Sequence, residues 1–302
     1  MLVRRSSRVL FLCGLSLAVL LTRDSGAAPG DPDPSFGEDG SLTTPFGESQ
    51  STAYALVLQP DGKVVAAGYS TTYTGLPPYY SSYAFALARY DSTGTLDEEF
   101  GTGGLVTLPA ANFPSEARAL VLQPDGKLVA AGSSYGTDQD FAVVRYLSDG
   151  SLDDGFGTRG QATTPVGTSS DAARALVLQP DGKLVAAGYS DVSESSQFAL
   201  VRHDPDGGLD GTFDRDGKVT TPIGDAAEAQ ALVLQPDGKL VAAGFAQHYT
   251  GQPPFYSASA FALARYNPDG SLDPDFGDGG IVTTPMKGGE SATPANRDCG
   301  HR

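Results

Sequence analysis

ALVLQPDGKVVAAG at residues 55–68 returns almost unchanged as ALVLQPDGKLVAAG at 119–132, 175–188 and 231–244. Read locally, this stretch is a β-hairpin. Ala175–Gln179 is a short apolar strand, Pro180-Asp181-Gly182 is the turn, and Lys183–Gly188 is the returning strand. Proline pre-sets the backbone of the first turn position, aspartate bonds its own neighbours, and glycine accepts the left-handed conformation that follows a type I turn.

Outward from the hairpin, one unit recurs. A glycine-rich loop such as Ser35-Phe36-Gly37-Glu38-Asp39-Gly40 leads into a strand of the type Thr43-Thr44-Pro45, and a variable loop then reaches the hairpin. A third loop ends at a strand that begins with Phe: FALARY at 85–90, FAVVRY at 141–146, FALVRH at 198–203 and FALARY at 261–266. The loop phenylalanines fall at 36, 100, 156, 213 and 276, giving periods of 64, 56, 57 and 63 residues. Similarity at such a period marks a repeat architecture, in which each unit buries its faces against its neighbours. Runs such as Leu-Val-Leu and Leu-Val-Ala-Ala are continuously apolar, whereas a strand with one wet face would alternate. Four-stranded antiparallel sheets stacked face to face meet that demand, so the fold class is all-β: a β-propeller-like array of four repeats. A parallel β-helix is the rival, but its repeats are shorter and lack a tight Pro-Asp-Gly hairpin. The Thr-Thr-Pro segment occurs five times against four hairpins, which leaves one surplus strand. In a closed four-bladed ring, Leu42–Pro45 and Ile281–Pro285 would compete for one place.

The motifs LDxxFGxxG, VTTP, ALxLQPDGK and FALxRY together resemble the bacterial delta-60 repeat over about residues 31–292. The resemblance implies an exported β-propeller-like protein and assigns no activity.

The flanks read differently. Arg4, Arg5 and Arg8, the apolar run Val9–Leu21 and the small residues Ser25–Ala28 form the pattern of a secretory signal peptide, cut after Ala27. The chain then divides into a signal peptide (1–27), a repeat domain (28–285) and a tail (286–302) that leaves the repeat pattern and reads as disordered. Cleavage would remove four arginines and one aspartate, moving the net charge from −16 to −19. Such a surface argues against nucleic acid as a partner. No membrane span is expected in the mature chain, because the leader's apolar run is short and a polar chain follows it. Only Cys299 would survive cleavage, so no internal disulfide is expected.

Catalytic constellations are missing from the pattern. His203 replaces a repeat tyrosine, His248 falls in a loop and His301 in the tail, and no spacing suggests a metal site or a nucleophile with its base. The chain is therefore expected not to be an enzyme.

Three features carry candidate roles. Two repeats hold 16 residues between the hairpin glycine and the next Phe strand, against 8 and 9 in the others. Both insertions have aromatic, proline-stiffened loops, with Tyr73, Tyr79 and Tyr80 in one and Tyr249, Phe255 and Tyr256 in the other. Rigid rings on loops suit ligand contact, and in a closed ring the two loops would meet. The acidic turns Asp204, Asp206, Asp210 and Asn267, Asp269, Asp273 resemble the start of a calcium loop, although no glutamate follows at the EF-hand position. Lastly, Arg89, Arg145, Arg202 and Arg265 recur, each followed eight residues on by Asp97, Asp153, Asp210 or Asp273. A structural ion pair per repeat is the reading of this spacing; four arginines around a central anion site is the alternative.

The expectation is an exported, acidic binding or scaffold module, secreted or at the cell surface. Its partner would be an extracellular protein or a glycan met through the paired loops. A calcium-stabilised structural module, or less plainly a carbohydrate-active enzyme, is the alternative.

Overall fold

A computed structural model describes residues 31–46, 50–73, 81–108, 114–135, 138–192, 195–249 and 257–285. Residues 1–30, which include the expected signal segment, and the expected tail at 286–302 lie outside these residues. The described chain falls into two units, one of residues 1–44 with 92–95, the other of 45–91 with 96–302.

Among the described residues the larger unit holds sixteen strands in four antiparallel sheets of four, each in chain order. The first contains β1 (Ser51–Leu58), β2 (Val64–Tyr73), β3 (Ser81–Tyr90) and β4 (Leu105–Thr107). The second contains β5 (Pro114–Leu122), β6 (Leu128–Tyr135), β7 (Gln139–Tyr146) and β8 (Gln161–Thr164). The third contains β9 (Asp171–Leu178), β10 (Leu184–Val192), β11 (Ser195–His203) and β12 (Lys218–Thr221). The fourth contains β13 (Ala226–Leu234), β14 (Leu240–Tyr249), β15 (Ser257–Tyr266) and β16 (Ile281–Pro285). Each repeat thus builds one sheet, as a propeller-like array requires.

The hairpins form as their turn chemistry dictates. Gln179 donates its N–H to the Lys183 carbonyl at 2.8 Å, and Gly182 donates to the Gln179 carbonyl at 2.9 Å with φ of +88°. Asp181 Oδ1 accepts from the Lys183 N–H at 3.1 Å, which stiffens the turn. The glycine that ends the motif has a second reason. The first two strands slip register beside it, and a Cβ on Gly188 would lie 1.9 Å from the Ala172 carbonyl oxygen.

The continuous apolar runs are buried on both faces in the middle of the array, whereas Leu56 and Leu58 of β1 and Val233 of β13 are exposed. In β7 the segment Phe141–Tyr146 is buried throughout. One core joins the first and second sheets through Val65, Phe85 and Leu87 against Leu120, Leu128 and Tyr146. A second joins Phe141, Val143 and Phe156 to Leu176, Leu184 and Val201. A third joins Phe198, Leu200 and Phe213 to Leu232, Leu240 and Tyr266.

Among the described residues no core cluster joins the fourth sheet to the first. Leu56 is 70% exposed, whereas its equivalents Leu120, Leu176 and Leu232 are 8%, 8% and 9% exposed. Phe261 is 59% exposed, whereas Phe85, Phe141 and Phe198 are fully buried. The neighbourhood expected of a closed four-bladed ring, with the first and fourth repeats in contact, is therefore not observed.

The surplus segment also behaves otherwise than expected. Ile281–Pro285 pairs with β15 as the outermost strand of its sheet, while residues 42–45 form no strand. In the other repeats this segment pairs with the Phe strand before it, and among the described residues no such strand precedes Ser41. Within the smaller unit, the Phe36 loop keeps the repeat's local geometry. Gly40 donates to the Phe36 carbonyl at 2.9 Å, and Gly37 donates to the Thr93 carbonyl at 2.8 Å. The same clip recurs in the larger unit as Gly101 to Asp149, Gly157 to Asp206 and Asp214 to Asp269.

Candidate functional site

The recurring charges resolve first. Nε of Arg89, Arg145, Arg202 and Arg265 lies 2.7, 2.8, 2.6 and 2.7 Å from an oxygen of Asp97, Asp153, Asp210 and Asp273 respectively. Each guanidinium also lies over a loop phenylalanine, with Arg202 4.4 Å from the Phe213 ring centre. Three of them reach the next repeat: Nη1 of Arg89, Arg145 and Arg202 donates to the carbonyls of Ser148, Pro205 and Pro268 at 2.5, 2.5 and 2.6 Å. The structural reading of the spacing holds, and each arginine is paired with the aspartate of its own repeat.

Sequence reasoning missed a third member. The lysine of every PDGK turn meets the same carboxylate, with Lys63, Lys127, Lys183 and Lys239 at 2.7, 3.1, 3.0 and 2.8 Å. Its signal was present, since the hairpin lysine is invariant across the four repeats. These contacts set the charge states. Burial would raise the Asp210 carboxyl, but the Thr212 hydroxyl and N–H, Lys183 and Arg202 together hold it well below the usual carboxylate range. Asp97 and Asp273 are lowered chiefly by their lysines, Lys63 and Lys239. In Asp153, burial is outweighed by Lys127, the Gly155 N–H and Arg145.

The calcium-like turns are thereby occupied with other work. Asp210 and Asp273 are the buried ion-pair partners just described. Asp204 pairs with Lys183. Asp206 Oδ1 accepts from the Gly208 N–H at 2.9 Å, and Asp269 Oδ1 accepts from the Ser271 N–H and hydroxyl at 3.0 and 2.6 Å. Asn267 donates to the Ser271 hydroxyl at 3.1 Å. Among the described residues no group of His, Cys, Asp or Glu is arranged to hold a metal ion.

The two insertions lengthen the ladders. β2 and β3 stay paired out to Tyr73 and Ser81, and β14 and β15 out to Tyr249 and Ser257. Tyr73 and Tyr249 therefore close strands instead of lying in loops. Tyr249 is exposed, and its N–H donates to Asp225 Oδ2 at 2.7 Å. Tyr79, Tyr80, Phe255 and Tyr256 lie outside the described residues.

Below the first insertion the structure assembles a group that was scattered in the sequence. Tyr54 of β1, Tyr69 of β2 and Tyr83 of β3 form a chain of rings, with centroids 5.9 and 5.3 Å apart and interplanar angles of 33° and 53°. Tyr54 is 41% and Tyr83 46% exposed. Arg118 of β5 lies 3.8 Å from the centre of the Tyr54 ring and is held there by Glu116 at 2.5 Å. Partial burial, set against the nearby Arg118 charge, pushes the Tyr54 hydroxyl up. The fourth repeat has Gln230, Phe245 and Ser259 at the equivalent positions, so its counterpart cannot form the same chain of rings.

A family model described as "Domain of unknown function (DUF5122) beta-propeller" matches residues 59–100, 123–156, 179–213 and 235–276, slightly over half of the chain. The chain belongs to this family. Each matched segment runs from a hairpin turn to the following loop phenylalanine, so the family's repeat and the observed sheets share one period. No curated protein matches the chain. Solved structures similar to it include MPT-4, a mannose phosphorylase from Leishmania mexicana, at 12% identity and a TM-score of 0.36, over 72% of this chain and 65% of that one. A protein of unknown function from Dyadobacter fermentans is 14% identical with a TM-score of 0.43, over 80% of this chain and 66% of that one. A virginiamycin B lyase from Staphylococcus aureus is 11% identical with a TM-score of 0.38, over 76% and 71%. The chain thus spans about two thirds of the length of the first two.

Proposed function

We propose that this β-propeller repeat protein is an exported, non-catalytic binding module, and that the aromatic edge of its first sheet docks an extracellular protein. The observation that carries this is the row Tyr54–Tyr69–Tyr83, exposed at Tyr54 and Tyr83 and half-buried at Tyr69, with Arg118 stacked on its end. Tyrosine and arginine are the residue types that dominate binding energy at protein interfaces, because they bring large contact area with little side-chain freedom to lose. Here the rings also brace one another, and the Glu116 contact fixes the guanidinium before any partner arrives. The acidic chain would favour a partner with a basic surface through faster encounter. Export rests on the charged, apolar and small-residue pattern of residues 1–28.

The test compares the full secreted protein with a Tyr54→Ser/Tyr83→Ser variant. Both would be immobilised and exposed to cell-envelope and culture-supernatant fractions. A protein retained by the parent, lost with the variant and bound again in purified form is the expected result, with melting temperatures unchanged. Equal retention by both would overturn the assignment, and retention of polysaccharide alone would replace the protein partner with a glycan.

A further inference from the structure

The three joints inside the larger unit are built from one pair of faces. At the first, Val57, Phe85 and Leu87 of the first sheet pack with Leu120 and Leu122 of the second. At the second, Val121, Phe141 and Val143 pack with Leu176 and Leu178 of the third sheet. At the third, Val177, Phe198 and Leu200 pack with Leu232 and Leu234 of the fourth. Every sheet thus has a trailing face, which carries the valine and the Phe-strand pair, and a leading face, which carries the two leucines.

One face of each kind is left over. Leu56 and Leu58, the leading leucines of the first sheet, are exposed, and so are Val233 and Phe261 on the trailing face of the fourth. The last Phe strand alternates accordingly. Phe261 is exposed and Leu263 and Arg265 are half-buried, while Ala262, Ala264 and Tyr266 between them are buried. In β7 all six equivalents are buried. The polar links stop at the same place. Arg89, Arg145 and Arg202 each donate to a carbonyl of the following repeat, and their side chains are 8%, 8% and 6% exposed. Arg265 is paired with Asp273 and lies 4.6 Å from the Phe276 ring centre, yet its side chain is 22% exposed and reaches no carbonyl among the described residues.

The open trailing face is of the kind that covers a leucine pair at every internal joint, and the open leading face is such a pair. Apolar faces left bare on a folded chain mark contact surfaces. At all three internal joints a trailing face meets a leading face. A joint of that kind between copies is heterologous, so it either closes into a ring or runs on. Two copies bring eight four-stranded sheets, within the range of closed propellers, and closure leaves neither face bare.

We propose that a second copy of this chain covers both open faces: the fourth sheet of each copy packs on the first sheet of the other, repeating the internal joint twice. The strand faces carry the contact. The loop clip does not recur there, because within the smaller unit Gly37 already donates to the Thr93 carbonyl, the equivalent of Asp149. Neither the tyrosine row nor Arg118 takes part.

Sedimentation velocity of the full protein over a wide range of concentrations tests this. The parent should double in mass, from one chain to two, as concentration rises. Leu56→Asp blocks the leading face and Phe261→Asp the trailing face, so each variant alone should sediment as one chain. Mixed in equal amounts, the two should regain the mass of two chains, through the trailing face of the first and the leading face of the second. They should need a higher concentration than the parent, since one joint replaces two. Melts followed by circular dichroism in dilute solution should match the parent, because both positions are exposed in the single chain. If either aspartate lowers the melt, Leu56→Ser and Phe261→Ser replace them. Tyr54→Ser/Tyr83→Ser should associate as the parent does. A parent that stays one chain throughout overturns the proposal. So does a variant that pairs alone, which would mean that like faces meet, or a mixture that does not associate. A mass that grows beyond two chains overturns it as well, in favour of an open stack.

Discussion

Asp210 shows how much one residue carries in this fold. Its carboxylate lies 2.6 Å from Arg202 Nε and 3.0 Å from Lys183 Nζ, and it also accepts from the Thr212 hydroxyl and N–H at 2.7 and 2.9 Å. The arginine it holds is the one that crosses to the Pro268 carbonyl of the next repeat. Replacing Asp210 by asparagine removes the charge but not the shape, and strands a buried guanidinium. The expected loss is about 3–5 kcal/mol, the usual penalty for breaking a buried pair from one side. Urea unfolding of Asp210→Asn against the parent measures it; a loss below about 1 kcal/mol, typical of an exposed pair, would mean the network is dispensable.

At the scale of the element, a strand's worth depends on which faces are covered. Leu56 and Leu176 stand at the same place in the hairpin, yet one is exposed and the other packs between the second and third sheets. Leu176→Ala should cost about 2–5 kcal/mol, as core truncations do. In solution dilute enough to keep the chains single, Leu56→Ala should stay within about 0.5 kcal/mol, as surface changes do. Paired thermal melts decide this. Equal losses would show that the first sheet's free face is covered in solution, by the fourth sheet or by another molecule. The same element explains the motif's final glycine: at Gly188 a methyl group would meet the Ala172 carbonyl of the adjacent strand, so the sequence admits nothing larger.

For the whole molecule, pH is the lever. Asp97, Asp153, Asp210 and Asp273 all have carboxyls held below their unfolded values. Groups shifted downward stabilise the fold fully above their unfolded pKa, about 4, and lose that contribution as pH falls through the lower folded values. His203 is also shifted downward, so its contribution is complete above about 6.5 and declines below it. The melting temperature should therefore be flat between about pH 7 and 9, dip slightly as His203 takes up its proton, and fall steeply below about pH 4. His203→Tyr should erase the first dip and keep the second. Calcium and EDTA should leave the curve unmoved, because the acidic turns are satisfied by lysine, arginine and backbone N–H groups. A rise with calcium would show that those turns rearrange to bind it.

The sequence by itself determined the repeat, the hairpin turns, the strand count per sheet and the arginine–aspartate pairing. All of these are set by residues close together in the chain or by an apolar run too continuous for a strand with a wet face. Tertiary structure alone decided the rest. Tyr54, Tyr69 and Tyr83 lie on three strands and become neighbours only through register, while the PDGK lysines reach carboxylates up to 34 residues away. The free faces at Leu56 and Phe261 could not be read from residues identical to buried ones elsewhere in the chain. His203 was visible as a departure from the repeat; that it lines one groove with Thr164 of the neighbouring repeat was not. A sequence fixes what each repeat is, and the packing of one repeat on the next fixes what its side chains can do.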